Sequence, residues 1–252
     1  MNIHLIRNAT LIFKYADKKF LIDPFLSEKG AMPPFPNTAN QHLSNPTVGL
    51  STSINEIIDV DAVIVTHLHP DHFDEKAKDH LPKEITIFAQ NQEDAEVIKE
   101  EGFQNVVSLE KESSFANVTL SRTDGKHGEG KILKQTGKVS GIVFSHPQEK
   151  TLYVAGDTLF NEDVQDAIEK HQPEVIVVNA GAAQFLEGGP ITMTKENVVE
   201  TSQEAPEATI IAVHMESLNH CLLTRDELKQ FIKEKDLLNK VLIPDDGQTL
   251  SF

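Results

Sequence analysis

The chain has 252 residues, of which 39% are hydrophobic and 25% charged, so it can bury a core as one large domain or two small ones. Its formal net charge of −16 at pH 7 disfavours binding to the phosphate backbone of nucleic acids. No apolar run approaches the roughly 18 residues of a membrane span, and the first residues lack the pattern of a signal peptide. The single cysteine excludes an internal disulfide. We therefore expect a cytoplasmic protein whose partner is neither nucleic acid nor a membrane, with homo-oligomerisation left open.

The start of the chain predicts three strands followed by a long loop. Residues 3–6, 10–14 and 19–23 have strand-like patterns, with a hairpin turn at 16–19. Residues 25–53 contain four prolines and little periodicity, and loops this long in compact domains are often lids or binding loops. Phe25, Met32 and Phe35 give this segment apolar side chains to pack. We expect it to cover the mouth of the functional site or to lie at a subunit contact beside it, with disorder as the alternative.

From residue 54 onwards the sequence predicts alternating helices and strands. Predicted strands lie at 62–66, 85–89, 105–108, 118–122, 139–146, 151–155, 174–179, 209–213, 241–243 and 249–252. Predicted helices lie at 74–81, 92–101, 162–170, 194–204 and 225–235. The two halves follow a similar order, which suggests two sheets with helices packed outside them.

One short segment concentrates four side chains of the types that bind metals: His67, His69, Asp71 and His72. It follows residues 62–66, an apolar run that predicts a buried strand. Side chains two positions apart on an extended segment point the same way, so His67 and His69 can reach one ion. If the chain then turns into a helix, Asp71 and His72 lie at its N-terminus and can face a second ion. Imidazole and carboxylate are ligands of zinc, manganese and iron, whereas the alternative is a polar loop with coincidental histidines.

Three further candidate ligands each follow a predicted strand: His127, Asp157 and His214. Any one of them alone is weak support, because a lone histidine at a strand end is more often structural. Together they complete two sets: His67, His69 and His127 for one ion, and Asp71, His72 and His214 for the other. Asp157 would lie between the ions, because each carboxylate oxygen can bind one of them. This arrangement leaves room for water, as catalytic sites do.

These seven residues, in this order, resemble the ligands of the metallo-β-lactamase-fold hydrolase superfamily. The similarity spans essentially the whole chain and includes residues 21–24 and 155–158. It implies one α/β (α+β) domain over residues 1–252, built as a four-layer αβ/βα sandwich with the metals at one end of the two sheets. The chain resembles more loosely the branch that contains the L-ascorbate-6-phosphate lactonases and N-acyl-phosphatidylethanolamine phospholipase D.

Several other polar residues are candidates for supporting roles. Asp23 is predicted to accept a hydrogen bond from a ligand histidine, with a turn residue as the alternative. The predicted catalytic residues are Asp71, as a proton shuttle, and His220, as a donor to a substrate oxygen. Asn219 and Lys126 are further candidate donors around the pocket.

The function that these observations predict is hydrolysis by a metal-bound hydroxide. The cofactors would be two divalent transition-metal ions, zinc first, with manganese or iron as alternatives. The substrate would be a small lactone, ester or phosphoester, and two cations in the pocket favour an anionic one. Two alternatives share the fold: an iron-dependent, dioxygenase-like redox enzyme, and a non-catalytic metal-binding protein. The presence of every ligand position counts against the last of these.

Overall fold

The structure, a computed structural model, describes residues 1–109 and 112–252. The strands are β1 Asn2–Arg7, β2 Thr10–Tyr15, β3 Lys18–Ile22, β4 Ala62–Val65, β5 Thr86–Ala89, β6 Asn105–Ser108, β7 Glu112–Phe115, β8 Val118–Asp124, β9 Ser140–Ser145, β10 Leu152–Val154, β11 Val175–Asn179, β12 Thr209–Val213, β13 Val241–Leu242 and β14 Thr249–Ser251. The helices are α1 Ile54–Ile57, α2 Glu75–His80, α3 Gln92–Glu100, α4 Leu133–Thr136, α5 Glu162–His171, α6 Lys195–Glu204 and α7 Arg225–Glu234. The predicted strands and helices are confirmed, and α1, α4 and β7 are additional.

The strands form two seven-stranded mixed sheets. The first has the order β14-β1-β2-β3-β4-β5-β6 and the second the order β13-β12-β11-β10-β9-β8-β7. Strands β3 to β6 are parallel in the first sheet, and β10 to β13 are parallel in the second. Strand β8 runs in the same direction as β10, because both are antiparallel to β9. The loops after these strands therefore leave each sheet at its carboxyl edge, where open α/β sheets bind ligands.

Three apolar clusters explain the order of the layers. One contains buried side chains from both sheets, including Phe13, Phe20 and Phe144, whose rings meet edge to face. A second packs α5, α6 and α7 against the outer face of the second sheet, and a third packs α1, α2 and α3 against the first. The result is the expected αβ/βα sandwich, in which the central strands are covered on both faces. Among the described residues, no helix is both long and apolar enough to cross a membrane.

Two buried side chains fix the start of the segment of residues 25–53. Arg7 donates from its guanidinium to the carbonyl oxygens of Phe25, Ser27 and Val48. Asp74 accepts hydrogen bonds from the backbone of residues 26 and 27 and also caps α2. Both anchors lie near the carboxyl edge of the first sheet, and from there the segment runs over the end of the sandwich.

Candidate metal centre and pocket

The structure brings all seven predicted ligands to the carboxyl edges of the two sheets. His67 and His69 follow β4, His127 follows β8, Asp157 follows β10 and His214 follows β12. The ligand-type atoms form two groups, within each of which they lie less than 4.8 Å apart. The groups are His67, His69 and His127, and Asp71, His72, Asp157 and His214. This division matches the two predicted sets, except that Asp157, which was predicted to lie between them, falls in the second group.

Asp157 faces both groups. Its Oδ2 lies 3.5 Å from His127 Nε2 in the first group and 3.3 Å from His72 Nε2 in the second. Its Oδ1 lies 3.6 Å from His214 Nε2 and accepts a 2.6 Å hydrogen bond from Asn179 Nδ2. The carboxylate is therefore placed where it could bridge two cations, and Asn179 fixes its orientation.

The expected position of Asp71 and His72 at a helix N-terminus is wrong in detail. Helix α2 begins later, at Glu75, because Asp74 takes the N-cap position and accepts from the Ala77 amide. Asp71 and His72 lie in the preceding turn, where the His72 amide donates to the His69 carbonyl. The two side chains still face the second group, since a tight turn brings them there without a helix.

The histidine nitrogens fit a metal centre. His67, His72 and His214 are buried, and their Nε2 atoms have no hydrogen-bond partner among the described residues. Leaving such a polar atom unsatisfied costs about 1–3 kcal/mol, whereas a cation accepts the lone pair. Nitrogen and carboxylate oxygen are the donors that divalent transition metals take in proteins. The residues present therefore fit two such ions.

In four of the histidines, the other ring nitrogen, Nδ1, contacts a residue outside both ligand groups. His72 Nδ1 lies 2.8 Å from Asp23 Oδ2, which confirms the hydrogen bond predicted between Asp23 and a candidate ligand histidine. His127 Nδ1 lies 2.7 Å from the Ile191 carbonyl oxygen. His67 and His214 have the weaker partners Thr66 Oγ1, at 3.2 Å, and Cys221 Sγ, at 3.5 Å. A proton on each Nδ1 directs the lone pair of Nε2 inwards, as metal-ligating histidines require.

Asp23 also acts on a second histidine through Thr66. The Thr66 amide and hydroxyl both donate to Asp23, each at 2.7 Å. Because the hydroxyl hydrogen is given to Asp23, the Thr66 oxygen is left to accept from His67 Nδ1. One buried carboxylate thus orients His72 directly and His67 by relay.

The pKa values of the histidines differ between the two groups, because the carboxylates lie in the second. Burial lowers the pKa of His67 well below its usual value and that of His127 to about 4. Burial also opposes protonation of His72, but Asp157, Asp23 and Asp71 outweigh it and raise the pKa to about 10. In the same way Asp157 raises the pKa of His214 well above its usual value, against the effect of burial. A cation that binds here must displace these protons, because a ligating imidazole is neutral.

We expect the protein to bind two transition-metal ions per chain and to release protons as it does so. The reason is that Asp157 faces both ligand groups, and that the neighbouring carboxylates outweigh burial and raise the pKa of His72 and His214, so that a cation must displace their protons. Metal analysis after dialysis gives the ratio, and calorimetry in two buffers of different ionisation enthalpy gives the proton release. A ratio of one or less after reconstitution with excess metal would contradict a dinuclear centre.

A cavity of about 240 Å³ opens beside the centre. Its apolar lining comes from Phe35, Pro36, Pro70, Phe185 and Ile191. Its polar lining comes from His69, Asp71, His127, Gln135, Thr136, Asp157 and His220. Phe35 and Pro36 belong to the segment of residues 25–53, so the prediction that this segment covers the site is confirmed.

His220 lies at this cavity and not within either ligand group. It is 7% exposed, its Nδ1 has no partner among the described residues, and its ring meets that of Phe35 edge on at 4.6 Å. Burial lowers its pKa to about 4, so the imidazole is neutral at pH 7 and can donate one hydrogen bond. This position fits the predicted contact with substrate.

Two other predicted donors do not reach the cavity. Lys126 points to the surface, where its Nζ pairs with Glu162 at 2.5 Å. Asn219 is fully buried, and its side-chain amide forms hydrogen bonds with residues 35, 38, 39 and 45. Sequence proximity to a ligand was misleading for both, because consecutive residues in a turn point in different directions. Conversely, the contact of Asn179 with Asp157 was not predicted, although Asn179 ends a parallel strand at the same sheet edge.

Comparison with known proteins agrees with the fold. The family model of the beta-lactamase superfamily domain matches residues 18–215. The UPF0173 protein YddR of Bacillus subtilis (strain 168) is 53% identical over the full length of both chains. A UPF0173 metal-dependent hydrolase of Bacillus cereus (strain Q1) is 26% identical over 92% of each chain.

Two solved structures superpose over the whole chain. The isothiocyanate hydrolase from Delia radicum gut bacteria is 44% identical, with a TM-score of 0.96, and the alignment covers 100% of this chain and 99% of that one. The structure of a possible metal-dependent hydrolase from Veillonella parvula DSM 2008 is 36% identical, with a TM-score of 0.97 and the same coverage. Together with the two ligand groups at the sheet edges, these matches establish that the chain belongs to the β-lactamase superfamily, among its metal-dependent hydrolases of the metallo-β-lactamase fold.

Proposed function

We propose that the chain hydrolyses a small, uncharged electrophile with an apolar substituent at a dinuclear metal centre. The observation that carries this proposal is the meeting of the two ligand groups at Asp157, on the wall of a cavity with five apolar lining residues. Zinc is the first candidate for both ions, since the donor set is rich in histidine.

Bound ions would polarise the scissile bond and lower the pKa of a water molecule towards neutrality. Side chains of the protein would accept a proton, donate to the substrate and exclude water. Asp71 lines the cavity with its Oδ2 at 3.3 Å from His214 Nε2, so it can bind a cation and also accept a proton near the reacting water. Neutral His220 can donate to the substrate oxygen or sulfur atom. Phe35 and the other apolar residues would hold the substituent and exclude water.

The lining favours a neutral substrate over the anionic one suggested by the sequence. Among the described residues, no lysine or arginine lines the cavity, and both aspartates that line it are candidate metal ligands. The net charge of −16 would further slow the approach of an anion. A lactone or ester remains compatible with this lining, whereas a phosphoester would depend on the metal ions alone for its charge.

The 44% identical relative suggests a specific candidate, an isothiocyanate, R–N=C=S. Water adds to the central carbon, and the resulting thiocarbamic acid breaks its N–C bond to give the amine RNH₂ and carbonyl sulfide. The substrate is neutral and linear, and its substituent R would lie in the apolar part of the cavity. A volume of about 240 Å³ suits a molecule smaller than the usual ligand of a pocket of 300–1,000 Å³.

A substrate panel tests this proposal. Metal-loaded protein is assayed with benzyl isothiocyanate, a δ-lactone, p-nitrophenyl acetate and bis-p-nitrophenyl phosphate, with metal-stripped protein as the control for uncatalysed reaction. We expect kcat/KM to be highest for the isothiocyanate and to disappear on metal removal. Preference for the phosphodiester, or an equal rate without metal, would overturn the proposal. Exchange of the metal should also shift the apparent pKa of the rate, because the reacting water is activated by the ion.

Replacement of His220 by alanine should lower kcat/KM about tenfold, the worth of one neutral hydrogen bond of roughly 1.4 kcal/mol. The metal content should stay at the wild-type ratio, because His220 lies outside both ligand groups. Kinetics and metal analysis on the same preparation test this prediction, with the exposed His42→Ala variant as the control. Loss of metal in His220→Ala would show that His220 is a ligand.

A further inference from the structure

The side-chain amide of Asn219, next to the cavity residue His220, makes four hydrogen bonds. Its Oδ1 accepts from the Phe35 amide at 3.0 Å and from Asn45 Nδ2 at 2.9 Å. Its Nδ2 donates to Thr38 Oγ1 and to the Ala39 carbonyl, each at 2.8 Å. An asparagine side chain offers two donors and two lone pairs, and here one covering segment takes all four while the side chain is fully buried.

The backbone of Asn219 is bound to the same segment. Its amide donates to Asn45 Oδ1 at 2.9 Å, and its carbonyl accepts from Asn40 Nδ2 at 3.0 Å. The next residue, His220, lines the cavity. Two consecutive residues therefore connect the segment to the cavity: Asn219 holds the segment by hydrogen bonds, and His220 lines the cavity.

The segment held in this way carries one wall of the cavity. Phe35 packs edge on against His220 at 4.6 Å. A backbone bridge between Thr38 and Phe185, together with a 2.8 Å hydrogen bond from the Leu186 amide to the Asn37 carbonyl, connects this wall to the opposite side. The spacing of Phe35 and Phe185 across the cavity thus depends on where residues 35–45 are held.

We propose that Asn219 is a positioning residue that sets the substrate range by holding Phe35 against His220. The proposal rests on the proposed function and extends it to the selection of the apolar substituent. Arg7 and Asp74 anchor the start of the segment independently, and the Thr38–Phe185 bridge and the backbone bonds of Asn219 do not use its side chain. Loss of the Asn219 side-chain amide would therefore loosen the position of Phe35 while the rest of the segment stays attached. Substrates that reach Phe35 would then bind more weakly, and substrates too small to reach it would not.

The first experiment compares benzyl isothiocyanate with methyl isothiocyanate. In Asn219→Ala we expect KM for the benzyl compound to rise about tenfold, which corresponds to roughly 1.4 kcal/mol, while kcat and KM for the methyl compound change less than about twofold on the same scale. Asn219→Asp, which keeps the volume but loses both donated bonds, should shift KM in the same direction. Thr224→Ala is the matched control, because it removes the N-cap of α7 away from the cavity and lowers stability alone.

A second measurement does not depend on turnover. The chain contains no tryptophan, so Phe35→Trp gives a single reporter in the wall. We expect acrylamide to quench this indole more strongly when Asn219→Ala is added and unchanged when Thr224→Ala is added, with the metal content of all variants equal.

The outcomes separate the two proposals. If the wild-type protein turns over neither isothiocyanate, the proposed substrate is wrong, and the quenching still decides the role of Asn219. Equal quenching with and without Asn219→Ala, or equal rises in KM for both isothiocyanates, would overturn the positioning role.

Discussion

Replacement of Asp157 by asparagine is expected to lower kcat/KM at least about a thousandfold and to reduce the metal content below two ions per chain. Removing a metal ligand forfeits several kcal/mol of charge stabilisation, and each 1.36 kcal/mol is tenfold in rate. Asparagine retains the shape of the side chain, and its single carbonyl oxygen would stay with Asn179, which donates to Oδ1. The amide NH₂ would then occupy the position of Oδ2, between His127 and His72, where it offers hydrogens instead of a lone pair.

The control for this prediction is Asp166→Asn, which removes the same charge from an exposed position on α5. It should retain the metal content and activity of the wild type. Metal analysis and steady-state kinetics are measured on both variants after identical reconstitution. A D157N protein that keeps two ions and more than a tenth of the activity would show that Asp157 lies beside the centre without binding it.

Two sheets with helices outside them could be predicted from the sequence pattern because the buried strands leave a strong signal, whereas the four-layer sandwich was implied by the family resemblance. Strand β11 is entirely buried and is apolar up to its last residue, Asn179, and α5 and α7 have caps and apolar faces that are visible in the sequence. The additional elements carry weak signals. Strand β7 contains Ser113 and Ser114 and joins β8 through a turn in which Ala116 and Asn117 both have positive φ, whereas hairpin turns are usually recognised by a glycine.

The candidate ligands could be predicted because each lies after a strand, directly or in the turn that follows it, but their supporting contacts could not. The Thr66 relay depends on the direction of a hydroxyl, and the contact of Ile191 with His127 joins residues 64 positions apart. Asn219 was predicted to be near the pocket because it lies in the polar cluster that follows His214, and only the fold shows that its side chain and that of His220 face different ways. Spacing along a strand determines which side chains share a face, whereas spacing within a turn does not.

Asp23 is expected to give the second large effect, although it lies outside both ligand groups. Its carboxylate accepts three buried hydrogen bonds, two from Thr66 and one from His72. Asparagine is the appropriate replacement, because Asp23 has a φ of 45°, which asparagine tolerates far better than alanine does. In Asp23→Asn, one oxygen can still accept from the Thr66 amide, but the new NH₂ group faces the His72 and Thr66 donors.

The conflict between these donors should rotate His72 or change its tautomer, so metal affinity is expected to fall 10–100-fold, the usual effect of losing such an outer partner. Thr66→Val is the companion variant, because it breaks only the relay to His67 and leaves the bond from Asp23 to His72 in place. Competition with a chelating dye gives both affinities. We expect Asp23→Asn to be the more damaging change, because it disturbs a ligand in each group, and the second ion should be lost first. Equal affinities in Asp23→Asn and the wild type would mean that the inward lone pair of His72 is fixed by the metal ions themselves and not by Asp23.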